Sequence, residues 1–323
     1  MNAQQDFSNL IPDVILDAVE SLDFWTDARI YPLNSYENRV YQVGIEDSAP
    51  LIAKFYRPHR WQRAQIQEEH DTLLALAESG FPLAAPLQIN GHTLFQHQGW
   101  HFCLTPRLVG QHPEAENLDQ LFQIGELIGK LHQALSHQSF QQRPSVSPLE
   151  QINQAATDII NSGHMPTKLQ SPYQASITKL LSLCEKQMQS FWPHALRPIH
   201  GDSHRSNLLM VNNEFHLLDF DDCQNGVAIQ DLWLHLTDLS QSRQQLSELI
   251  EGYESYAAFD VRELALIDVF KATRIICYAA WLSNRWQDPA FVKAFPWFTS
   301  EEYWLNHLNE LKACQTEWGQ LSL

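Results

Sequence analysis

The chain has 323 residues, which at about 150 residues per domain predicts two domains. Hydrophobic residues make up 44% of the chain and charged residues 18%, which excludes a collagenous, low-complexity or disordered protein. The formal net charge of −17 predicts repulsion from nucleic acids and from anionic membrane surfaces, so we expect neither as a partner.

The first hundred residues show short apolar runs separated by turn residues, a pattern that predicts five β-strands. The pattern is interrupted once, at residues 60–76, where apolar residues recur at helical spacing before Gly80 and Pro82. One helix is therefore expected against a small sheet. The predicted strands are 28–33, 40–44, 51–56, 93–96 and 100–104.

After residue 107 the pattern becomes mainly helical, apart from a β-rich insert at residues 200–222. The predicted helices are 118–135, 149–160, 173–192, 232–249 and 261–286, with a surface loop at 141–148. We therefore predict the α+β class, with a small antiparallel-sheet lobe at residues 1–104 that carries one main helix. Residues 105–323 form a larger, mainly helical lobe in this prediction.

The five cysteines are widely separated and form no C-x-x-C pair, which favours neither a disulfide framework nor a cysteine zinc site. The uncharged run 275–284 is shorter than the about 20 residues that a membrane-spanning helix needs. Residues 1–16 carry no basic residue ahead of their apolar stretch, unlike a signal peptide. We expect a soluble cytoplasmic protein that contacts no membrane.

The residues that carry chemistry cluster in the β-rich insert. Four apolar residues follow Asn207, then a three-residue polar turn at 212–214, and four more residues lead back to Asp219. This hairpin, residues 207–222, brings Asp219 back to the neighbourhood of Asn207. A carboxylate and an amide oxygen at one end of a hairpin suit Mg²⁺. Asp202, in the preceding loop at 200–207, is expected to face the same point.

This spacing matches the H-x-D-x-x-x-x-N and D-F-x pattern of phosphotransferases. In that pattern Asp202 accepts the proton of the substrate hydroxyl, while Asn207 and Asp219 hold the metal that offsets the developing negative charge. Two alternatives stay open. The residues could be ordinary turn and cap residues, or His200, Asp202 and His204 could bind zinc from one face of an extended segment.

A kinase also needs a lysine on a strand and a glutamate on the following helix. Lys54 stands inside the apolar run 51–55, and Glu68 and Glu69 follow in the predicted helix. Glu69 is the predicted partner, because apolar residues four and seven positions further on place it on the buried stripe. The alternative for Lys54 is an edge-strand lysine that points to water.

The loop between the first two strands, residues 34–38, has no glycine, yet its backbone amides and the Ser35 hydroxyl could cover phosphates. A simple hairpin turn is the alternative. Adenine is expected near residues 103–106, where backbone groups can hydrogen-bond its edge. Asp231 is interpreted as a helix N-cap. Four tryptophans, Trp281, Trp286, Trp297 and Trp304, are interpreted as core residues.

Beyond these motifs, the chain resembles the aminoglycoside phosphotransferase and choline kinase family, which has a bilobal, protein-kinase-like fold. The likeness covers nearly the whole chain and is most specific to a bacterial group of serine/threonine protein kinases of the stress response. The segments that carry it, besides the catalytic residues, are 32–42 (PLNSYENRVYQ), 54–61 (KFYRPHRW), 68–70 (EEH), 129–132 (GKLH), 230–233 (QDLW) and 285–297 (RWQDPAFVKAFPW).

The resemblance implies an ATP- and Mg²⁺-dependent kinase that also phosphorylates itself. It implies that Asp202 and Asp219 are active-site residues, that Asn207 and Asp219 are magnesium ligands, and that Ser35 contacts ATP. Lys54 and Glu69 complete the predicted nucleotide site. The expected partners are ATP and a protein with a serine or threonine hydroxyl, and the kinase is expected to be a monomer.

The resemblance also implies that His200 supports the catalytic loop and that Asp231 fixes it. Ser206 stands where the family usually has glycine, and a positive φ there would cost on the order of 1 kcal/mol. Two other functions stay open. The same chemistry could act on a small-molecule hydroxyl, for which the net charge of −17 favours a cationic substrate, or the chain could be a catalytically silent binding module.

Overall fold

The computed structural model describes residues 7–193, 195–237 and 241–320. Contacts divide the chain into two compact units. Unit 1 comprises Met1–Glu114, Phe140–Pro144 and Asp202–Cys223, and unit 2 comprises Ala115–Ser139, Ser145–Gly201 and Gln224–Leu323. The hairpin after Asn207 thus groups with unit 1, whereas the predicted lobes assign it to the second half of the chain. The predicted lobe boundary at residue 104 stays a prediction.

Unit 1 contains a sheet of five strands, β1 (Thr26–Pro32), β2 (Arg39–Ile45), β3 (Leu51–Phe55), β4 (Phe95–His97) and β5 (Trp100–Pro106). Their order is β1-β2-β3-β5-β4, and every pairing is antiparallel. Each strand overlaps one predicted from the sequence, so the five-strand pattern is confirmed. Apolar residues of β3 and β5 form the core, where the rings of Phe55 and Phe102 stack 5.3 Å apart.

Two helices complete this part of unit 1, α1 (Pro12–Glu20) and α2 (Arg63–Glu78). Helix α1 was not predicted from the sequence, although a proline in the first turn is typical of a helix start. The predicted start of α2 at residue 60 is wrong by three residues. Gln62 has an extended backbone, and the side chains of Gln62 and Gln65 cap each other's backbone N–H groups, which fixes the start at Arg63.

The predicted metal hairpin consists of β7 (Leu208–Val211) and β8 (Glu214–Leu217). Its turn has two residues rather than the three predicted, because Glu214 already pairs with Val211. Asn212 and Asn213 have φ values of 49° and 67°. Positive φ at both central positions is the type I′ turn, which matches the twist of a hairpin and which asparagine tolerates.

Unit 2 is mainly helical, with one short antiparallel pair of strands. The elements of unit 2 are α3 (Leu118–Ala134), α4 (Pro148–Ser162), α5 (Thr167–Ser190), β6 (Arg197–Ile199), β9 (Gln224–Gly226), α6 (Ala228–Leu232), α7 (Ser242–Glu254), α8 (Ile267–Arg285), α9 (Pro289–Ala294) and α10 (Glu301–Thr316). The predicted continuous helix at 232–249 is wrong, because α6 ends at Leu232, a 3₁₀ turn follows, and α7 begins at Ser242. Part of that predicted helix lies outside the described residues.

Close packing of α3 against α7 depends on glycine. A Cβ atom at Gly125 would overlap the backbone oxygen of Leu249, and one at Gly252 would overlap that of Phe122. Helix backbones can approach this closely only where no side chain intervenes. In the part of the chain that the structure describes, no helix is both long enough and apolar enough to cross a bilayer.

Candidate active site

Lys54 lies in the middle of β3, between β2 and β5, and its side chain is 13% exposed. Its Nζ atom is 3.0 Å from Asp219 Oδ1, 3.2 Å from Asp221 Oδ1 and 3.8 Å from Glu69 Oε1. Burial alone would lower the pKa of Lys54, but these carboxylates hold the pKa well above its ordinary value. The alternative of an edge-strand lysine that points to water is therefore wrong.

Two adjacent glutamates on α2 have different partners. Glu69 is buried among the apolar residues of α2 and lies near both Lys54 and Arg143, at 3.8 Å from each. Burial raises the pKa of Glu69 to about 7 in spite of these cations. Glu68 instead accepts hydrogen bonds of 2.6–2.8 Å from three successive backbone N–H groups at residues 141–143. Glu69, not Glu68, is thus the residue beside Lys54.

The hairpin brings the two predicted metal ligands to the same end of unit 1. The backbone N–H of Leu218 donates to the carbonyl of Asn207 at 2.9 Å, so Asp219 follows directly on a residue bonded to Asn207. Asp219 adopts a left-handed backbone with φ of 53°, and 45% of its side chain is exposed. A carboxylate and an amide oxygen are hard donors, so Asn207 and Asp219 fit Mg²⁺ chemically.

The loop from Asp202 to Asn207 is held by internal hydrogen bonds. The Asn207 amide donates to the Asp202 carbonyl at 2.9 Å, and His204 Nε2 lies 3.3 Å from Asp202 Oδ2. The side chain of Asp202 is 26% exposed. Ser206 lies in a 3₁₀ turn and has no positive φ, so the condition under which serine would be strained at this position is not met. Gly201 carries the left-handed backbone instead, with φ of 86°.

Asp231 anchors the start of this loop in unit 2. Its carboxylate is fully buried and accepts hydrogen bonds of 2.8 Å from the backbone N–H groups of His200 and Gly201. It also lies 3.1 Å from His132 Nε2. Burial would raise the pKa of Asp231, but the hydrogen bonds from His132 and Gly201 lower it below its ordinary value.

The helix N-cap interpretation of Asp231 is wrong, because this residue lies inside α6, whose N-cap is Val227. His132 was not singled out, although it belongs to the GKLH segment at 129–132. His132 is one of many scattered histidines, and the residues next to it do not indicate that it contacts a carboxylate far along the chain.

Ser35 lies in the loop between β1 and β2, where its N–H donates to the Leu33 carbonyl at 2.8 Å. Its hydroxyl donates to the Asn38 carbonyl at 3.3 Å. The segment expected near adenine forms the last residues of β5, and of these Cys103 and Leu104 are buried. Only residues 105–106 of that segment reach the surface.

Two charged residues near Lys54 were not predicted from the sequence as site residues, namely Asp221 and Arg60. Asp221 has a side chain only 5% exposed, placed 3.0 Å from Arg60 Nη1. Burial would raise the pKa of Asp221, but Lys54 and Arg60 lower it far below its ordinary value. The D-F-D-D run at 219–222 contained the signal, because it has three aspartates and the predicted metal site uses only Asp219.

The zinc alternative at His200, Asp202 and His204 finds no support. Among the described residues, no group of three or more His, Cys, Asp or Glu side chains could hold a metal ion. The ordinary-turn alternative is not supported at Asp219, because its carboxylate contacts Lys54, which lies far outside its own turn.

Comparison with known proteins gives consistent findings. A sequence model described as the phosphotransferase enzyme family, APH, matches residues 29–267. Stress response kinase A of Escherichia coli O157:H7 is 40% identical over 94% of this chain and 92% of its own. Serine/threonine protein kinase RdoA of Salmonella typhimurium is 40% identical over 92% of this chain and 90% of its own. These findings confirm the resemblance inferred from the sequence segments.

One solved structure extends the comparison to the fold. Amicoumacin kinase hAmiN, in complex with AMP-PNP, Ca²⁺ and Ami, aligns with a TM-score of 0.75 and 17% identity over 98% of this chain and 95% of its own. At that identity the likeness speaks to the fold alone. The predicted α+β, kinase-like fold is confirmed.

Proposed function

The chain belongs to the phosphotransferase enzyme family, and from that premise we propose an ATP- and Mg²⁺-dependent kinase that acts on serine or threonine hydroxyls of proteins. The observation that carries the proposal is the ammonium of Lys54 held among Glu69, Asp219 and Asp221. A strand lysine, a helix glutamate and a metal-binding aspartate form the nucleotide site of kinases. The names of the relatives support a protein substrate and a role in a bacterial stress response.

In the proposed enzyme, Lys54 holds phosphate oxygens of ATP. Asp219 is the most exposed of its three carboxylate partners, at 45% against 5% and 3%. Incoming phosphate would therefore exchange most readily with Asp219, while Asp221 and Glu69 keep the ammonium in place. Asn207 and Asp219 would hold Mg²⁺, which when bound offsets the charge of the transferring phosphoryl group.

Asp202 is the proposed proton acceptor. The substrate hydroxyl oxygen forms a bond to the γ-phosphorus, the bond from that phosphorus to the bridging oxygen of ADP breaks, and the hydroxyl proton passes to the Asp202 carboxylate. The contact of His204 with Asp202 orients this carboxylate. Asp231 fixes the backbone of the two residues before Asp202, which limits how far the carboxylate can move.

The proposal is tested by following ADP release from Mg-ATP with a generic protein substrate and, separately, with a panel of amino alcohols. We expect release that depends on the protein substrate and stops when EDTA removes Mg²⁺. The matched control is Asp202→Asn, which keeps the shape of the side chain and removes its basicity. ATP binding without ADP release under any condition would indicate a silent binding module and overturn the proposal.

A second candidate function, phosphorylation of a small-molecule hydroxyl, is favoured by the net charge of −17, which suits a cationic substrate. Unit 2 also contains a cavity, whose lining includes none of the proposed catalytic residues. It has a volume of about 750 Å³ and is lined by Trp233, Tyr278, Trp297 and Tyr303, with Glu302 and Glu310. Aromatic rings and carboxylates attract ammonium groups, although Lys271 and Arg274 also line the cavity. ADP release with amino alcohols alone would favour this function over the protein kinase.

A further inference from the structure

The loop at residues 34–38 reaches a defined shape without glycine. None of its residues has a positive φ, so it needs no glycine for conformational reasons. Its carbonyl groups nevertheless require donors, and a two-strand connection supplies few of its own. One donor is Arg39 at the start of β2, whose Nη1 atom donates to the Tyr36 carbonyl at 2.9 Å and to the Asn38 carbonyl at 3.4 Å. Further donors come from the residues that follow β3.

Arg57 contacts the loop at three points. Its Nε atom donates to the Glu37 carbonyl at 2.8 Å, and Nη2 donates to the Tyr36 carbonyl at 3.0 Å. Its backbone N–H donates to Asn38 Oδ1 at 3.0 Å. One residue thus bonds to three successive residues of the loop. Both Arg57, at 6%, and Asn38, at 2%, are nearly inaccessible to solvent, so water competes little for these bonds.

Arg60 connects the same loop to the aspartate run that begins at Asp219. Its Nη1 atom lies 3.4 Å from Glu37 Oε1 and 3.0 Å from Asp221 Oδ2. Glu37 Oε1 also lies 3.3 Å from Arg57 Nε. The Glu37 carboxylate therefore sits between two guanidinium groups, one of which also holds a partner of Lys54.

We propose that Arg57 is a positioning residue for the nucleotide: it holds residues 36–38 in the shape that presents Ser35 and the loop backbone to the phosphates of ATP. A loop ordered before binding avoids the entropy cost of ordering on binding. The planar fork of arginine matches two carbonyl groups at once, which the single ammonium of lysine does not. This inference rests on the proposed function, because only a nucleotide-binding protein presents this loop to phosphates.

The test compares the dissociation constants of Mg-ATP and of adenosine for the wild type, Arg57→Lys and Arg57→Ala. Because adenosine has no phosphate, its affinity should change less than twofold, while that of Mg-ATP falls about 10-fold. The matched control is Arg29→Lys on β1, since the Arg29 side chain is 69% exposed and pairs with Asp27 at the surface. That variant should bind both ligands as the wild type does.

Hydrogen exchange of the wild type adds a measurement that needs no variant. The backbone amide of Arg57, which donates to Asn38 Oδ1, should be protected as strongly without nucleotide as with it, and rapid exchange of this amide without nucleotide would contradict a preformed loop. Equal Mg-ATP affinity in Arg57→Lys and wild type, or equal losses for Mg-ATP and adenosine, would overturn the inference alone. A wild type that binds no Mg-ATP would overturn the proposed function as well.

Discussion

Lys54 in unit 1, with a side chain 13% exposed, and Asp231 in unit 2, which is fully buried, both carry charges that the protein neutralises in different ways. Lys54 is surrounded by three carboxylates, one of them on the exposed side chain of Asp219. Asp231 accepts hydrogen bonds from two backbone N–H groups and contacts a buried histidine. An ion pair with an exposed partner can be exchanged for a ligand, whereas hydrogen bonds to the backbone fix the chain.

The difference suits the two tasks of the proposed enzyme. When ATP binds, one ion pair of the nucleotide site must break, and the pair between Lys54 and Asp219 can do so. The catalytic loop must keep Asp202 in place through every cycle, and Asp231 holds the loop by its backbone. Substitutions on the two sides should therefore separate ATP affinity from the rate of transfer.

The largest expected effect is that of Lys54→Met. The phosphates lose their ammonium partner and three carboxylates are left near one another, so the dissociation constant of Mg-ATP should rise about 50-fold. Equilibrium binding of a fluorescent ATP analogue measures it. The control is Lys179→Met, a substitution of an exposed lysine on α5. Unchanged affinity in Lys54→Met would remove this lysine from the nucleotide site.

Asp231→Asn should affect the catalytic loop and not the nucleotide site. The carboxylate accepts from two backbone N–H groups, but asparagine has only one acceptor oxygen and places an NH₂ group against the second N–H. We expect the transfer rate at saturating ATP to fall about 20-fold and the free energy of unfolding by about 2 kcal/mol. Single-turnover kinetics and urea denaturation measure these.

In the same variant, the dissociation constant of Mg-ATP should stay within about twofold of the wild-type value. A similar loss of ATP affinity would contradict the expectation that Asp231 affects the transfer rate and not nucleotide binding.

A smaller effect is expected for Glu69→Gln. Glu69 is the most distant of the three partners of Lys54, and its pKa, raised to about 7 by burial, leaves it partly protonated at neutral pH. The affinity for Mg-ATP should therefore fall less than about fivefold at pH 7. Asp221→Asn is the matched comparison, and a larger effect of Glu69→Gln than of Asp221→Asn would contradict this ranking.

The last prediction concerns stability against pH, to which both units contribute. Burial lowers the pKa of His70 in unit 1 to about 3 and that of His307 in unit 2 to about 4. The unfolded chain binds a proton at these positions below about pH 6.5, whereas the folded chain does not until the lower pKa is reached. The free energy of unfolding should therefore decrease as the pH falls from 6.5 toward 4.

Each of the two histidines contributes about 1.4 kcal/mol per pH unit to this decrease. His307→Leu should remove its own share, so that urea denaturation at pH 7 and pH 5 gives a smaller difference than in the wild type. The exposed His137→Leu is the control. If the difference between pH 7 and pH 5 is unchanged in His307→Leu, a group other than His307 causes the pH dependence.

Local patterns predicted the strands of the sheet, the hairpin after Asn207 and the choice of Glu69 over Glu68 as the neighbour of Lys54. The alternating and helical spacings of apolar residues depend only on nearby residues, so they can be recognised without the tertiary structure. The contact between Arg60 and Asp221 joins residues about 160 positions apart, and no local spacing indicates it. The break after Leu232 was hidden because apolar residues continue beyond it at compatible spacing.

The tryptophans illustrate the same limit. Trp304 is buried as predicted, but Trp297 is 43% exposed and lines the cavity of unit 2. Hydrophobicity predicts burial on average, while the position of an exposed aromatic depends on how neighbouring elements pack.

Intact-protein mass spectrometry after incubation with Mg-ATP tests phosphoryl transfer to protein hydroxyls most directly, with a generic protein substrate present and Asp202→Asn in parallel. We expect mass gains of about 80 Da per phosphate on the substrate or on the kinase itself, in the wild type alone. Equal gains in Asp202→Asn would contradict the assignment of Asp202. The absence of any gain in a wild type that binds ATP would contradict phosphoryl transfer to protein hydroxyls.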